Sequence, residues 1–208
     1  MKTITKELQR QITPELAIEL LKNGNQRFIQ NLSYNRNLLQ QVNETANGQY
    51  PFATILSCID SRTPAELIFD QGLGDIFSIR IAGNVINDDI LGSMEFACEI
   101  AGSKLIVVLG HTSCGAVKGA CDSVEMEHLS GLLRKIDPAI EKEKSINEQR
   151  NGNNPRFVDA VAKLNVMNSI DTVLHESDIL KRLVSNGQIR IIGGLYDVAS
   201  GEVSLFDN

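Results

Sequence analysis

The 208-residue sequence has no tryptophan, five prolines, four cysteines and three histidines, and aromatic residues make up only 5% of it. Four cysteines are too few to staple a disulfide scaffold. Five prolines with 22% charged residues do not describe a long disordered chain. No apolar run approaches the ~20 residues of a membrane-spanning helix. Basic residues are outnumbered, 20 against 26 acidic, for a net charge of −6. That balance argues against nucleic acid or an anionic membrane as partner, since both call for a basic surface. The first residues, MKTITKELQRQ, lack the apolar stretch of a secretory signal. The expected location is the cytoplasm, where thiols stay reduced and available to a metal or to catalysis.

What is present is 42% hydrophobic sequence, enough for one domain over residues 1–208 with a sizeable core. Thr13-Pro14-Glu15 starts a helix, with a capping hydroxyl and proline in the first turn. Ala17, Leu20, Leu21, Gly24 and Phe28 continue it as a stripe. This helix precedes every strand, so residues 1–48 form an N-terminal helical arm that covers the chain's own core or packs on a second subunit. Buried strands are expected at 52–57, 75–80, 104–109 and 189–192, and helices at 64–69, 88–101, 115–121, 126–144 and 155–184. A terminal hairpin over 196–206 turns at 199–201. Strands alternating with helices specify an α/β fold, a mainly parallel central sheet flanked by helices. Ligands of such sheets sit beyond the carboxyl ends of the strands.

Two strand ends carry the chemistry. Ser57-Cys58-Ile59-Asp60-Ser61-Arg62 follows the first strand, and Gly110-His111-Thr112-Ser113-Cys114-Gly115 follows the third. Two thiolates and an imidazole converging on one sheet edge suit Zn2+. Gly110 and Gly115 are expected to permit the tight turn between His111 and Cys114. Asp60 is either a fourth ligand or the acceptor of a hydrogen bond from a metal-bound water, with Arg62 placed to grip its carboxylate. Cys98 and Cys121, on helices, read as structural thiols. His128 and His175, on polar stretches, read as surface residues.

At Cys58-x-Asp60-x-Arg62 and His111-x-x-Cys114 the sequence resembles the β-class carbonic anhydrases. The resemblance extends over residues 14–206 and includes Arg80-Ile-Ala-Gly-Asn84 and Tyr196-Asp-Val-x-x-Gly201. It implies zinc on Cys58, His111 and Cys114, and reversible hydration of carbon dioxide to bicarbonate through a zinc hydroxide oriented by the Asp60–Arg62 dyad. It also implies a substrate pocket of Phe77, Ala82 (where a valine is common), Phe96 and the Gly115 amide. Gln49 matches a substrate-facing glutamine often supplied by the neighbouring subunit. The implied assembly is a homodimer or homotetramer built through the N-terminal helix. Some family members bind bicarbonate allosterically through Trp, Arg and Tyr. Here Ile55 stands at the tryptophan position, which implies a fourth zinc position open to water. Two other readings of the same scaffold are a carbon disulfide or carbonyl sulfide hydrolase and a non-catalytic zinc-containing bicarbonate-binding protein.

Overall fold

A computed structural model describes residues 3–206. Five strands form one sheet in the order β2-β1-β3-β4-β5. They are β1 (Ala53–Ser57), β2 (Ile76–Arg80), β3 (Leu105–His111), β4 (Arg190–Tyr196) and β5 (Val203–Phe206). The first four are parallel, and β5 returns antiparallel to β4. Every residue of β1 and β3 is buried, as expected of central strands covered on both faces. Side chains of β3 alternate between the two cores. Leu105, Val107 and Leu109 join Ala17, Leu21, Ile68 and Phe69 on one face. Ile106 and Val108 join Met94, Val166, Ile170 and Leu180 on the other.

The helices follow from their caps and stripes. Thr13 accepts a hydrogen bond from the Leu16 N–H and starts α2 (Pro14–Ile29) after the short α1 (Lys6–Gln11). The α2 helix lays Ala17, Ile18 and Leu21 on the chain's own core. Beyond it come α3 (Leu38–Thr45), α4 (Ala65–Ile68), α5 (Asp88–Glu95) and α6 (Gly115–Cys121). The last four are α7 (Glu127–Leu133), α8 (Asp137–Lys142), α9 (Pro155–Glu176) and α10 (Asp178–Ser185). Among the described residues no helix is long and apolar enough to cross a membrane.

The α/β architecture is the expected one, with differences in its details. The helix expected over 88–101 runs as α5 and then one π turn, Phe96–Ile100. The stretch 126–144 is broken by a 3-10 turn at Arg134–Ile136. The stretch 155–184 breaks at Ser177, whose extended backbone lets its hydroxyl accept from Leu180 N and donate to Glu95. The fourth strand continues through Gly193-Gly194 to Tyr196. The terminal hairpin turns where expected, with Gly201 at φ +80°.

Candidate metal centre

Three residues from two strand-end segments meet at the carboxyl edge of the sheet. Cys58 follows β1 directly, His111 is the last residue of β3, and Cys114 caps α6. Parallel pairing sets Ser57 opposite Leu109, so the two loops leave neighbouring strands side by side. All three side chains are buried, and their ligating atoms lie within 4.8 Å of one another. The two sulfurs are 4.0 Å apart. The turn between His111 and Cys114 takes its positive φ from Ser113, at +56°. Gly110, expected to serve that turn, instead lies within β3, where a side chain would meet Val166 of α9 at 2.7 Å.

The donor set fits a divalent cation. His111 Nδ1 lies 3.0 Å from the Thr112 carbonyl oxygen. That oxygen can only accept, so the bond assigns the ring proton to Nδ1 and leaves the Nε2 lone pair facing the sulfurs. Nε2 is buried with no hydrogen-bond partner. Such orphaned polar atoms are rare unless something outside the chain satisfies them. Cys58 is drawn down by hydrogen bonding from Cys114, against burial, with the Gly83 N–H also pointing at its sulfur from 3.3 Å. Cys114, acting as donor to Cys58 and buried, is pushed up. Two hydrogen-bonded cysteine sulfurs and one bare imidazole nitrogen form a set that a dication would complete by displacing protons from sulfur.

Asp60 stands at the rim. Its Oδ1 accepts from Arg62 N and Nε, both at 2.9 Å, and its Oδ2 accepts from Nη2 at 2.8 Å. These Arg62 hydrogen bonds hold the carboxyl well below the usual carboxylate range despite partial burial. Oδ2 is 4.0 Å from His111 Nε2. The loop carrying Asp60 is clamped by Thr63, which the sequence reading did not single out, and by Arg80, which it named only as part of the family-like segment 80–84. The Thr63 hydroxyl lies 3.0 Å from Cys58 O and 2.9 Å from Asp60 O. Arg80 donates from Nε to Cys58 O at 3.0 Å and from Nη2 to Asp60 O at 2.5 Å. Thr63 carried a legible signal, a hydroxyl residue just before the proline of a helix start. Arg80 carried one too, since it ends β2 directly opposite Ser57.

Residues 53–203 match the family model described as carbonic anhydrase. The chain belongs to the carbonic anhydrase family. Members of this family are lyases, and the resemblance to its β-class is borne out at the level of sequence and fold. Carbonic anhydrase 2 of Mycobacterium tuberculosis is 34% identical over 94% of this chain and 94% of its own length. A carbonic anhydrase of Mycolicibacterium smegmatis is 37% identical over 92% and 93%. Among solved structures, the β-carbonic anhydrase CafA of Aspergillus fumigatus superposes with a TM-score of 0.72 at 27% identity, covering 93% of this chain and 91% of that one. A tetrameric β-carbonic anhydrase of Sordaria macrospora shares the fold at TM-score 0.69 and 24% identity, over 77% and 83%.

The other residues that the family resemblance points to are spread differently. Phe77 of β2 and Phe96 of the π turn meet edge to face, centroids 6.3 Å apart, with Phe96 half exposed. Ala82 opens the 3-10 turn whose next residue, Gly83, donates to Cys58. Gly115 is the exposed first residue of α6. Gln49 is exposed and lines a surface concavity with Val42, Thr45, Ala46, Gly48, Leu73 and Gly74. None of those neighbours belongs to the Cys58–His111–Cys114 cluster or its Asp60–Arg62 rim. Cys98 lies in the core and burial pushes it up to about 12; Cys121 is half-buried and pushed up to about 11. His128 and His175 are exposed beside Glu127 and Glu176.

Proposed function

We propose that the chain catalyses the reversible hydration of carbon dioxide to bicarbonate and a proton, with zinc held by Cys58, His111 and Cys114. Bound there, zinc acts as a Lewis acid that brings the pKa of a coordinated water towards about 7. The observation that carries this reading is the Arg62-gripped Asp60 carboxylate, 4.0 Å from the His111 nitrogen that faces the two sulfurs. A carboxylate kept ionised only accepts hydrogen bonds. Asp60 therefore accepts the hydrogen of the attacking oxygen and directs its lone pair outward, while Arg62 fixes the carboxylate's angle.

Carbon dioxide has no net charge, so an apolar site suits it; the Phe77–Phe96 pair, whose rings meet edge to face, and Ala82 are assigned to that wall. Negative charge then grows on its oxygens. Gln49 and the Gly115 N–H are the donors proposed to meet that charge. Gln49 lines a concavity that includes none of the metal-cluster residues, which supports assigning its amide to the site of a second copy. The arm, residues 1–48 of a single domain, exposes Leu32, Leu38, Leu39 and Val42, and Leu73 beside Gln49 is exposed as well. An apolar surface of this kind favours burial against another protomer, which supports a homodimer or a pair of dimers. Three ligands of which two are thiols favour a reducing compartment, the cytoplasm. Metal analysis with stopped-flow carbon dioxide hydration on the purified chain tests the proposal. One zinc per chain with hydration activity is expected, and a metal-free chain or a zinc-loaded inactive one overturns it.

A further inference from the structure

The structure assigns Asp159 as a positioning residue for His111, acting through the single peptide group that joins Thr112 to Ser113; this rests on the metal reading above. The carbonyl of that peptide accepts from His111 Nδ1 at 3.0 Å. Its N–H, on Ser113, donates to Asp159 Oδ1 of α9 at 2.9 Å. The order is therefore carboxylate, peptide, imidazole, ligand nitrogen. Metal-bound histidines commonly donate their second N–H directly to a carboxylate or carbonyl, which fixes the tautomer and raises ligand basicity. Here a carboxylate and a carbonyl act in series. Acceptance by Asp159 polarises the peptide and strengthens its oxygen as acceptor for the imidazole N–H.

The peptide needs holding. Ser113 sits at φ +56°, a left-handed conformation that costs a non-glycine residue about 1 kcal/mol or more. The opposite side of the turn is tied to the β4–β5 hairpin. Thr112 N donates to Tyr196 O at 2.9 Å, Val198 N donates to the Thr112 hydroxyl oxygen at 3.1 Å, and that hydroxyl donates to Asp197 Oδ1 at 3.3 Å. Those bonds fix Thr112 and leave the rotation of the following peptide to Asp159. The same helix supports the other ligand loop. Six residues further along α9, Asn165 donates to Gly83 O at 2.8 Å, and Gly83 donates to the Cys58 sulfur. One helix thus braces ligands from two different strand ends.

The test compares Asp159→Ala and Asp159→Asn with the wild type as zinc enzymes. Asp159 is only half-buried and alanine is a strong helix former, so the fold should persist. The readouts are the rate of zinc loss to a chelator well below the melting temperature and the visible spectrum of the cobalt-substituted protein. Asp159→Ala is expected to release zinc about 10–100-fold faster and to shift the cobalt bands. Asp159→Asn, which keeps an acceptor oxygen without the charge, should lie between. A folded Ala variant with wild-type zinc release and an unmoved cobalt spectrum overturns the assignment, even if its melting point falls. If the Ala variant does not fold, hydrogen exchange of the Ser113 amide in the wild-type zinc enzyme decides: slow exchange supports the bond and fast exchange overturns it. A wild type that binds neither zinc nor cobalt overturns this inference together with the metal reading, and is told apart because no variant is needed to see it.

Discussion

Asp60 Oδ2 stands 4.0 Å from His111 Nε2, and both oxygens of that carboxylate are held by Arg62. On the proposed function the arrangement separates metal binding from proton handling, because Asp60 can be neutralised without touching Cys58, His111 or Cys114. Asp60→Asn is expected to keep one zinc per chain and to lower carbon dioxide hydration about 10²-fold or more, the range for a positioned acid–base group. The amide would present a donor where only an acceptor serves. Metal content and stopped-flow rates measured on the same preparation check both halves. Wild-type turnover in a zinc-replete Asn variant removes Asp60 from the reaction.

The cysteines divide into two pairs with different expectations. Cys58→Ser and Cys114→Ser each replace a soft thiolate by a hydroxyl that zinc binds poorly, and should abolish stoichiometric metal. Cys98→Ser and Cys121→Ser, whose thiols are pushed up by burial and lie outside the ligand group, should keep it. Zinc retained after loss of Cys58, or lost after substitution of Cys121, contradicts the ligand set.

A pH-dependent stability effect is expected far from the metal. Asp70 is buried, and burial alone would raise its carboxyl; hydrogen bonds from Arg36 and Arg27 more than offset this and hold it below the ordinary value. A carboxyl depressed in the native state adds stability that is present above the unfolded-state pKa of about 3.9 and lost as pH falls through the lower native value. Asp70→Asn should therefore cost about 3 kcal/mol at neutral pH, since it strands two arginines in a largely buried site. The gap to wild type should close as the pH drops below 4. Denaturant unfolding at neutral and acid pH checks this, and a gap independent of pH would show that the ion cluster does not supply the stability.

The legible parts of the fold were those that local sequence decides. β1 and β3 are short apolar runs buried on both faces, and Cys58 and His111 meet at their ends because a parallel sheet gathers strand termini on one edge. The α1 helix left no periodic signal: it is six residues long and buries Gln9, whose side chain donates to Pro51 O and Ala101 O. Those partners lie far away in sequence, so the helix makes sense only in the folded chain. Gly193 and Gly194 disguised the end of β4. A side chain at Gly193 would meet the Phe206 ring at 2.4 Å, and one at Gly194 would meet Leu109 and Leu205 at 3.0 Å, so the glycines are there for close packing. In the site, the Cys58–His111–Cys114 group and the Asp60–Arg62 pair were legible because they fall within short motifs. Thr63 and Arg80 left local signals, a hydroxyl before a proline and a strand end, but not what they bond to; Asp159 acts on the Ser113 backbone from a distant helix, and such a side chain-to-backbone bond leaves no spacing to read.

Gln49 yields the most discriminating experiment, because its place in the chain separates a site completed within one protomer from a site completed by two. Gln49→Ala alone should keep zinc and slow hydration about 10-fold or more, by removing a donor to developing charge. Mixing it with Asp60→Asn distinguishes the geometries. If Gln49 serves its partner, a mixed dimer has one site carrying both defects and one site carrying neither. Random re-association of equal amounts then restores about a quarter of wild-type sites, given an isologous two-fold dimer. If Gln49 serves its own chain, every site in the mixture retains one defect and activity stays at the variants' level. Unfolding, remixing and refolding the two variants with zinc, followed by stopped-flow hydration, reads this directly. Activity rising above both parents places the amide across a subunit boundary, whereas a flat result with exchange verified by mass spectrometry returns it to its own protomer.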